Sequence, residues 1–210
     1  MRKRGIFITF EGIEGAGKTT QIIRARKYLM AKGLEVLVLR EPGGTKIGDR
    51  IRDLLLTPSA EPLEPWAEFF LFCASRSQLV ATVIEPALKR GAIVLCDRFS
   101  DSSLAYQGFA RGLSTDAIRN LTEIATGGLK PNLTLLLDLP EKKGLGRAHS
   151  RQQSGPNDRF ESEQIEFHSR VRQGFLALAE QEPDRIKIIS ADRPADTIAT
   201  EVEELIDDGI

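Results

Sequence analysis

The chain has 210 residues, 28% of them charged, with a formal net charge of −1, which fits one globular α/β domain with a substantial core. The balanced charge argues against non-specific electrostatic binding of nucleic acid, because such binding normally needs a basic face. Two cysteines, Cys73 and Cys96, lie in apolar runs outside any CxxC or Cys/His cluster, so we expect buried reduced thiols in a cytoplasmic protein. The run after Met1–Gly5 is too short for a signal peptide, and no apolar stretch approaches the ~20 residues of a membrane span.

Apolar runs rich in β-branched residues alternate along the chain with longer amphipathic stretches. The predicted strands are Gly5–Phe10, Glu35–Arg40, Ala92–Asp97, Leu133–Leu139 and Arg185–Ser190. The predicted helices are Lys18–Lys32, Pro65–Arg90 with an end or kink at Pro86, Asp158–Glu180, and Ala195–Ile206. This alternation predicts a parallel sheet covered on both faces, and such sheets bind ligands at the carboxyl ends of their strands.

Two polar segments interrupt the alternation. Glu41–Lys46 is a turn-rich loop after the second strand, and Arg147–Arg159 contains Gly155 and Pro156 without an apolar period. Each segment is interpreted either as a solvated connection or as a mobile lid.

The clearest motif runs from Gly12 to Thr19 and matches GxxxxGK[ST] between a predicted strand and a predicted helix. Its glycines permit a backbone that closes on an anion, and its N–H groups face the phosphates. Lys18 adds a charge near the β- and γ-phosphates, and the Thr19 hydroxyl can ligate Mg²⁺. The predicted nucleotide-binding residues are Gly12, Ile13, Glu14, Gly15, Ala16, Gly17, Lys18, Thr19 and Thr20, with Arg147 added from the lid segment.

The loop alone does not separate a kinase from a switch protein, because GTPases and motor ATPases share it. The NKxD and DxxG sequences of regulatory GTPases are absent, and Asp97 is followed by Arg98 instead. Phosphoryl transfer between two phosphates needs cations around both substrates. Arginines outside the loop occur at Arg40, Arg52, Arg76, Arg98, Arg147, Arg151 and Arg159. Asp97 ends a predicted strand, a position suited to Mg²⁺ or its waters.

Phe72 and Arg76 are four residues apart and therefore share one helix face. An aromatic ring beside a guanidinium can stack on a base and hydrogen-bond to it. The alternative, which spacing alone favours, is a core phenylalanine with a solvated arginine beside it.

Taken together, these segments resemble the bacterial thymidylate kinases. The matching segments are FEGIEGAGKTT (Phe10–Thr20), REPGGT (Arg40–Thr45), FFLFCASRSQLV (Phe69–Val80), DRFSDSSLAYQG (Asp97–Gly108) and DRFESE…FHSRVRQGFLALA (Asp158–Ala179). The resemblance covers nearly the whole chain. It implies a P-loop nucleoside-monophosphate-kinase-like three-layer fold, one domain over residues 1–210, with a five-stranded parallel sheet and a lid near residues 147–159. It also implies a cytoplasmic homodimer that transfers the γ-phosphate of ATP to dTMP for dTTP synthesis, with Mg²⁺ and without nucleic acid or membrane.

The resemblance also assigns roles to single residues. Glu14 is expected at the deoxyribose 3′-hydroxyl and near the metal, and Arg52 and Arg98 at the dTMP phosphate. The remaining substrate residues are Phe72 under the thymine ring, Arg76 as donor to its O4, Ser103 and Gln107 near the base, and Tyr106 against the sugar 2′ position. Lys18, Arg98 and Arg151 are the expected catalytic residues, with Arg147 and Arg159 assisting, and Thr19, Asp97 and Glu14 are expected around the metal. His149 stands where relatives often have an arginine.

Two other readings remain open from the sequence. The chain could be a kinase for another nucleotide or nucleoside, since one methyl group between dTMP and dUMP is worth only ~1–3 kcal/mol. It could also be an ATP-dependent binding module without turnover.

Overall fold

The computed structural model describes residues 4–59, 61–151, 159–160 and 162–209, apart from the side chains of His149 and Arg151. Its sheet has five parallel strands in the order β2-β3-β1-β4-β5. The strands are β1 Phe7–Glu11, β2 Val36–Arg40, β3 Ile93–Asp97, β4 Leu133–Asp138 and β5 Ile186–Ser190. Each one overlaps its predicted strand and differs from it by at most two residues at either end.

Helices connect these strands on both faces of the sheet. They are α1 Lys18–Ala31, α2 Lys46–Leu56, α3 Pro65–Leu79, α4 Glu85–Lys89, α5 Ser100–Ser103, α6 Thr115–Thr126, α7 Glu141–Arg151, α8 Ile165–Gln181 and α9 Ala195–Gly209. Two segments, Val80–Ile84 and Leu104–Ala110, are π-helical. The expected alternation of strands and helices is therefore confirmed.

Neighbouring residues of β1 face opposite sides of the sheet, as the period of two in a strand requires. Phe7 packs in an apolar cluster with Leu79 and Val94, whereas Ile8 belongs to the cluster that contains Leu29 of α1. All five residues of β1 are buried because β1 lies at the centre of the sheet. The loop that follows β1 is thus carried by the most enclosed strand of the fold.

The predicted interruption at Pro86 takes a different form. The helical path continues through Pro86, which is the second residue of α4, and Val80–Ile84 just before it is π-helical. Proline has no N–H to give to the carbonyl four residues earlier, so a locally wider turn before it lets the helix continue. The stretch Pro65–Lys89 therefore forms one 25-residue helical run.

This run is long and apolar enough to cross a membrane by length and composition, with a mean hydropathy of 1.3 in its most apolar window. The expectation that no apolar stretch approaches that length is therefore wrong. Glu68 and Arg76 lie within the run and are fully buried against partners on other elements. Core helices of globular proteins pass the same test, so the run is weak evidence for a membrane span.

The predicted lid segment, Arg147–Arg159, is described by the structure only in part. Residues 147–151 are not a loop, because they form the last part of helix α7. Residues 152–158 lie outside the described part of the chain. Helix α8 begins at Ile165, later than the predicted start at Asp158.

Candidate active site

The loop after β1 folds as its glycines predict. Gly12, Gly15 and Gly17 have φ values of 133°, 74° and 92°, which side chains rarely adopt. Helix α1 begins directly at Lys18, whose Nζ donates to the carbonyl oxygens of Gly12 and Ile13 at 2.9 Å each. Burial, followed by the neighbouring Arg98, lowers the pKa of Lys18 to about 8. The loop backbone therefore holds the Lys18 ammonium group within the loop, at the place where a phosphate would bind.

Two clefts open on either side of this loop, and Gly15 and Gly17 line both of them. The first has an empty volume of about 930 Å³, and the second of about 1320 Å³. Besides these two glycines, ten predicted residues line the first cleft: Glu14, Lys18, Thr19, Arg52, Phe72, Asp97, Arg98, Ser103, Tyr106 and Gln107. Ala16, Thr20 and Arg147 line the second. The phosphate-binding loop is therefore shared by the two clefts, and a group held in either cleft lies beside it.

Glu14 lines the first cleft and contacts two other residues that line it. Its Oε1 accepts from Arg98 Nη2 at 2.8 Å and from the Tyr106 hydroxyl at 2.6 Å. Burial would raise the pKa of Glu14, but Arg98, His168 and Lys18 together hold it well below its usual range. Glu14 is therefore an anion, and it holds the Arg98 guanidinium over the cleft.

Arg98 is the one non-glycine residue with positive φ that is found in the described ranges, at 69°. Hydrogen bonds on both sides fix this strained backbone, since Arg98 N–H donates to Phe10 O at 3.0 Å and Phe99 N–H to Glu11 Oε1 at 2.7 Å. Ser102 also donates to Glu11, at 2.6 Å, and accepts from Arg98 Nη1 at 3.2 Å. Such conformations cost about 1–3 kcal/mol and persist where surrounding contacts enforce them.

Arg76 lies behind the cleft and does not line it. Its Nε donates to both oxygens of Glu41, at 2.8 and 2.9 Å, and one Nη to Ser103 Oγ at 2.9 Å. Its other nitrogen, Nη1, is buried without a hydrogen-bond partner among the described residues. The alternative of a solvated arginine is therefore wrong. Phe72 lines the cleft beside Phe160, with ring centroids 6.2 Å apart.

Arg52, predicted at the acceptor phosphate, and Arg159, predicted to assist catalysis from the lid, differ in position. Arg52 lines the cleft, and its Nη1 donates to Pro42 O at 2.9 Å. Arg159 lines neither cleft, because its guanidinium donates to Glu68 Oε2 at 2.6 Å and to Leu55 O at 3.0 Å. Gln107 donates to the other oxygen of Glu68 at 2.8 Å. The side chain of Arg151, the predicted lid catalyst, lies outside the described part of the structure.

Comparisons with known proteins agree with this geometry. The family model described as thymidylate kinase matches residues 10–202. The thymidylate kinase of Desulfovibrio desulfuricans is 51% identical over 206 residues, covering 96% of this chain and 95% of that protein. The thymidylate kinase of Deinococcus radiodurans is 54% identical over 199 residues, covering 95% of each. This chain belongs to the thymidylate kinase family.

A solved structure supports the same assignment at the level of the fold. The crystal structure of thymidylate kinase from Ehrlichia chaffeensis superposes with a TM-score of 0.78 at 31% identity, covering 97% of this chain and 99% of that one. The expected P-loop nucleoside-monophosphate-kinase-like fold is therefore confirmed, including its five-stranded parallel sheet. Family membership does not favour the alternative of a binding module without turnover.

Several residues of this thymidylate kinase site have no role in the sequence-based prediction. They are Glu11, Glu41, Glu68, Ser102, Phe160 and His168. Each makes its contact with an element distant in sequence, such as Glu41 with Arg76 across 35 residues. All of them except Glu68 lie within the matching segments listed above, which is the one signal that could have pointed to them.

Proposed function

We propose that this chain catalyses the transfer of the γ-phosphate from ATP to dTMP, giving ADP and dTDP for dTTP synthesis. Membership of the thymidylate kinase family makes it a dTMP phosphotransferase. The observation that carries the proposal is the pair of clefts that share Gly15 and Gly17. ATP occupies the second cleft with its phosphates in the loop, and dTMP occupies the first.

The first cleft fits a pyrimidine nucleoside monophosphate. Phe72 provides an aromatic face for the base, and the buried, unpaired Nη1 of Arg76 provides a donor for a carbonyl oxygen. Arg98 and Arg52 line the same cleft and bind the acceptor phosphate. Tyr106 and Glu14 line the same cleft, are hydrogen-bonded to each other, and are proposed to contact the sugar.

The chemistry requires no general base, because the acceptor phosphate is already anionic at neutral pH. A phosphate oxygen of dTMP attacks the γ-phosphorus in line, and the bond to the β-phosphate oxygen breaks. Lys18 and Arg98 offset the charge that develops on the transferring group. Arg151 is proposed to add a further cation, with Arg147 beside it in the second cleft.

Kinases of this family generally need a divalent metal, and Mg²⁺ is the proposed one. Thr19 Oγ1 donates to Asp97 Oδ2 at 3.2 Å, so two hard oxygen groups meet at the edge of the first cleft. No cluster of three or more His, Cys, Asp or Glu side chains is found in the described ranges. This fits Mg²⁺, which takes few protein ligands and completes its coordination with phosphate and water oxygens. When bound, it would neutralise phosphate charge, and Thr19, Asp97 and Glu14 are the residues proposed to lie around it.

A homodimer in the cytoplasm, with neither nucleic acid nor membrane as partner, completes the proposal. The balanced charge of the chain supports the absence of nucleic acid. Large apolar side chains exposed on α2 and α3 support a second copy as partner: Ile47, Leu54, Trp66 and Phe70.

The test is to measure ADP release with ATP·Mg²⁺ and each of dTMP, dUMP, dCMP, dGMP, UMP and thymidine. We expect the highest kcat/KM with dTMP and a loss of about 10²–10³-fold in Arg98→Ala, because a charge-stabilising donor is removed. Arg90→Ala is the matched control, since Arg90 forms an exposed pair with Glu35. A faster reaction with another acceptor would overturn the thymine assignment. ATP binding without turnover would favour the binding module.

A further inference from the structure

His168 is a fully buried side chain that the proposed reaction leaves without a role. It lies in the first turns of α8, next to Phe167, whose ring meets the imidazole edge-on with centroids 5.7 Å apart. Its Nδ1 lies 3.2 Å from Glu14 Oε2. Elsewhere in the described structure, neither ring nitrogen of His168 nor Glu14 Oε2 has a hydrogen-bond partner.

Packing alone does not account for this placement. A polar group that is buried without a partner costs about 1–3 kcal/mol, and an apolar residue of similar size would avoid that cost. Within the described residues, the acidic oxygen placed within reach of the ring is Oε2 of Glu14, 3.2 Å from Nδ1. A neutral imidazole with its proton on Nδ1 can donate to this oxygen, which is the one that Arg98 and Tyr106 leave open.

The three groups around Glu14 differ in what happens when substrate enters. Arg98 and Tyr106 both line the first cleft, so a bound nucleotide competes with Glu14 for their donors. His168 is fully buried and lines neither cleft, so its contact persists. His168 therefore keeps its contact with Oε2 of Glu14, while Oε1 exchanges its present partners for the substrate.

We propose that His168 is a positioning residue, whose Nδ1–H donates to Glu14 Oε2 and holds the carboxylate at the angle that meets the 3′-hydroxyl of the acceptor sugar. This inference rests on the proposed function, which places Glu14 at the sugar. It also links α8, which follows the lid segment in the chain, to the phosphate-binding loop.

The test compares dTMP with 3′-deoxy-dTMP, which lacks the hydroxyl that Glu14 is proposed to contact. The measured quantity is the ratio of the two kcat/KM values, in the wild type and in His168→Asn, His168→Gln and His168→Leu. The amide nitrogen of asparagine falls near the place of Nδ1, that of glutamine near Nε2, and leucine has no donor. We expect Asn to keep the wild-type ratio and Gln and Leu to lower it about tenfold.

Leu178→Val on the same helix is the control for lost packing, because Leu178 is equally buried and lies in the apolar core. It is expected to lower the melting temperature without changing the ratio. A double variant, His168→Leu with Glu14→Gln, should lose no more discrimination than Glu14→Gln alone if His168 acts through Glu14.

The outcomes separate the two proposals. No turnover of dTMP by the wild type would overturn the proposed function. Normal turnover with a ratio that is the same in the Gln, Leu and wild-type proteins would overturn the role of His168 alone. If the glutamine variant does not fold, the leucine variant decides by the same ratio.

Discussion

Arg76 shows at the scale of single residues what sequence reasoning can and cannot reach. Its spacing from Phe72 predicts that both side chains leave α3 on one face, and in the fold Phe72 lines the first cleft while Arg76 lies buried behind it, against Ser103. Its burial against Glu41 could not be predicted, because that contact joins two segments that only the folded sheet brings together. A buried guanidinium needs such a partner, since an unpaired buried charge is very costly. Spacing identifies a shared face, whereas the partner depends on tertiary structure.

Glu11 is a fully buried carboxyl beside Arg98, and its burial makes the stability of the protein depend on pH. Burial and the neighbouring Asp101 raise the pKa of Glu11 from 4.5 to about 7, against the lowering effects of Arg98 and of two hydrogen bonds. The folded state therefore binds more protons than the unfolded state between pH 4.5 and 7. Stability from this group is highest at low pH and falls as the pH rises through that window.

We expect the free energy of unfolding of Glu11→Gln, relative to the wild type, to rise by up to about 3 kcal/mol between pH 4.5 and 8. Urea titrations at several pH values measure this difference. Glu180→Gln is the control for the replacement itself, because Glu180 is exposed. A difference for Glu11→Gln that does not change with pH would contradict the protonation of Glu11 in the folded state.

At the scale of elements, the sequence predicted the strands better than the connections. The strands are continuous apolar runs because both faces of a parallel sheet are covered, and such runs are visible in the sequence. The π-helical turn at Leu104–Ala110 has no such signal, since it depends on the packing of α8 against it. Helix α7 is polar and contains Gly144 and Gly146, so its sequence resembles a loop.

Gly144, but not Gly146, allows α7 to lie directly against the phosphate-binding loop. A Cβ at Gly144 would lie 2.5 Å from Glu14 O and 2.8 Å from Ile13 Cδ1, and a Cβ at Gly15 would lie 2.0 Å from Gly144 O. The two backbones therefore touch, and only glycine fits on either side. A Cβ at Gly146 would have no atom within 4 Å.

We expect Gly144→Ala to push α7 away from the loop, lowering the free energy of unfolding by about 1–3 kcal/mol and raising KM for ATP. Gly146→Ala is the matched control on the same helix, and it should raise stability by up to about 1 kcal/mol because alanine favours helix. Urea unfolding and ATP titration of the initial rate measure these effects. Equal stabilities of the two variants would contradict the tight contact between α7 and the loop.

At the scale of the whole molecule, α2 and α3 together expose several large apolar side chains, and this face is a candidate for the contact between two copies of the chain. Trp66 and Phe70 of α3 stack on each other with ring centroids 6.0 Å apart, and Phe70 is 52% exposed. Helix α2 packs against α3 and exposes Ile47 and Leu54. Exposed clusters of large apolar side chains of this kind mark interaction surfaces, and homodimer interfaces are more apolar than the remaining surface.

If this face joins two copies of the chain, a charge placed on it should separate them, because an unpaired carboxylate buried in the interface is costly. We expect the wild type to sediment at about twice the 23.2 kDa of one chain and Phe70→Glu to sediment as the monomer. Met30→Glu is the matched control, since Met30 is 51% exposed on α1, which packs against α9 rather than α3. Dissociation by both variants would point to a general loss of folding, and a dimeric Phe70→Glu protein would place the interface on another face. Dissociation by Phe70→Glu alone, with dTMP turnover measured on the separated chains, would then show whether one copy holds a complete site.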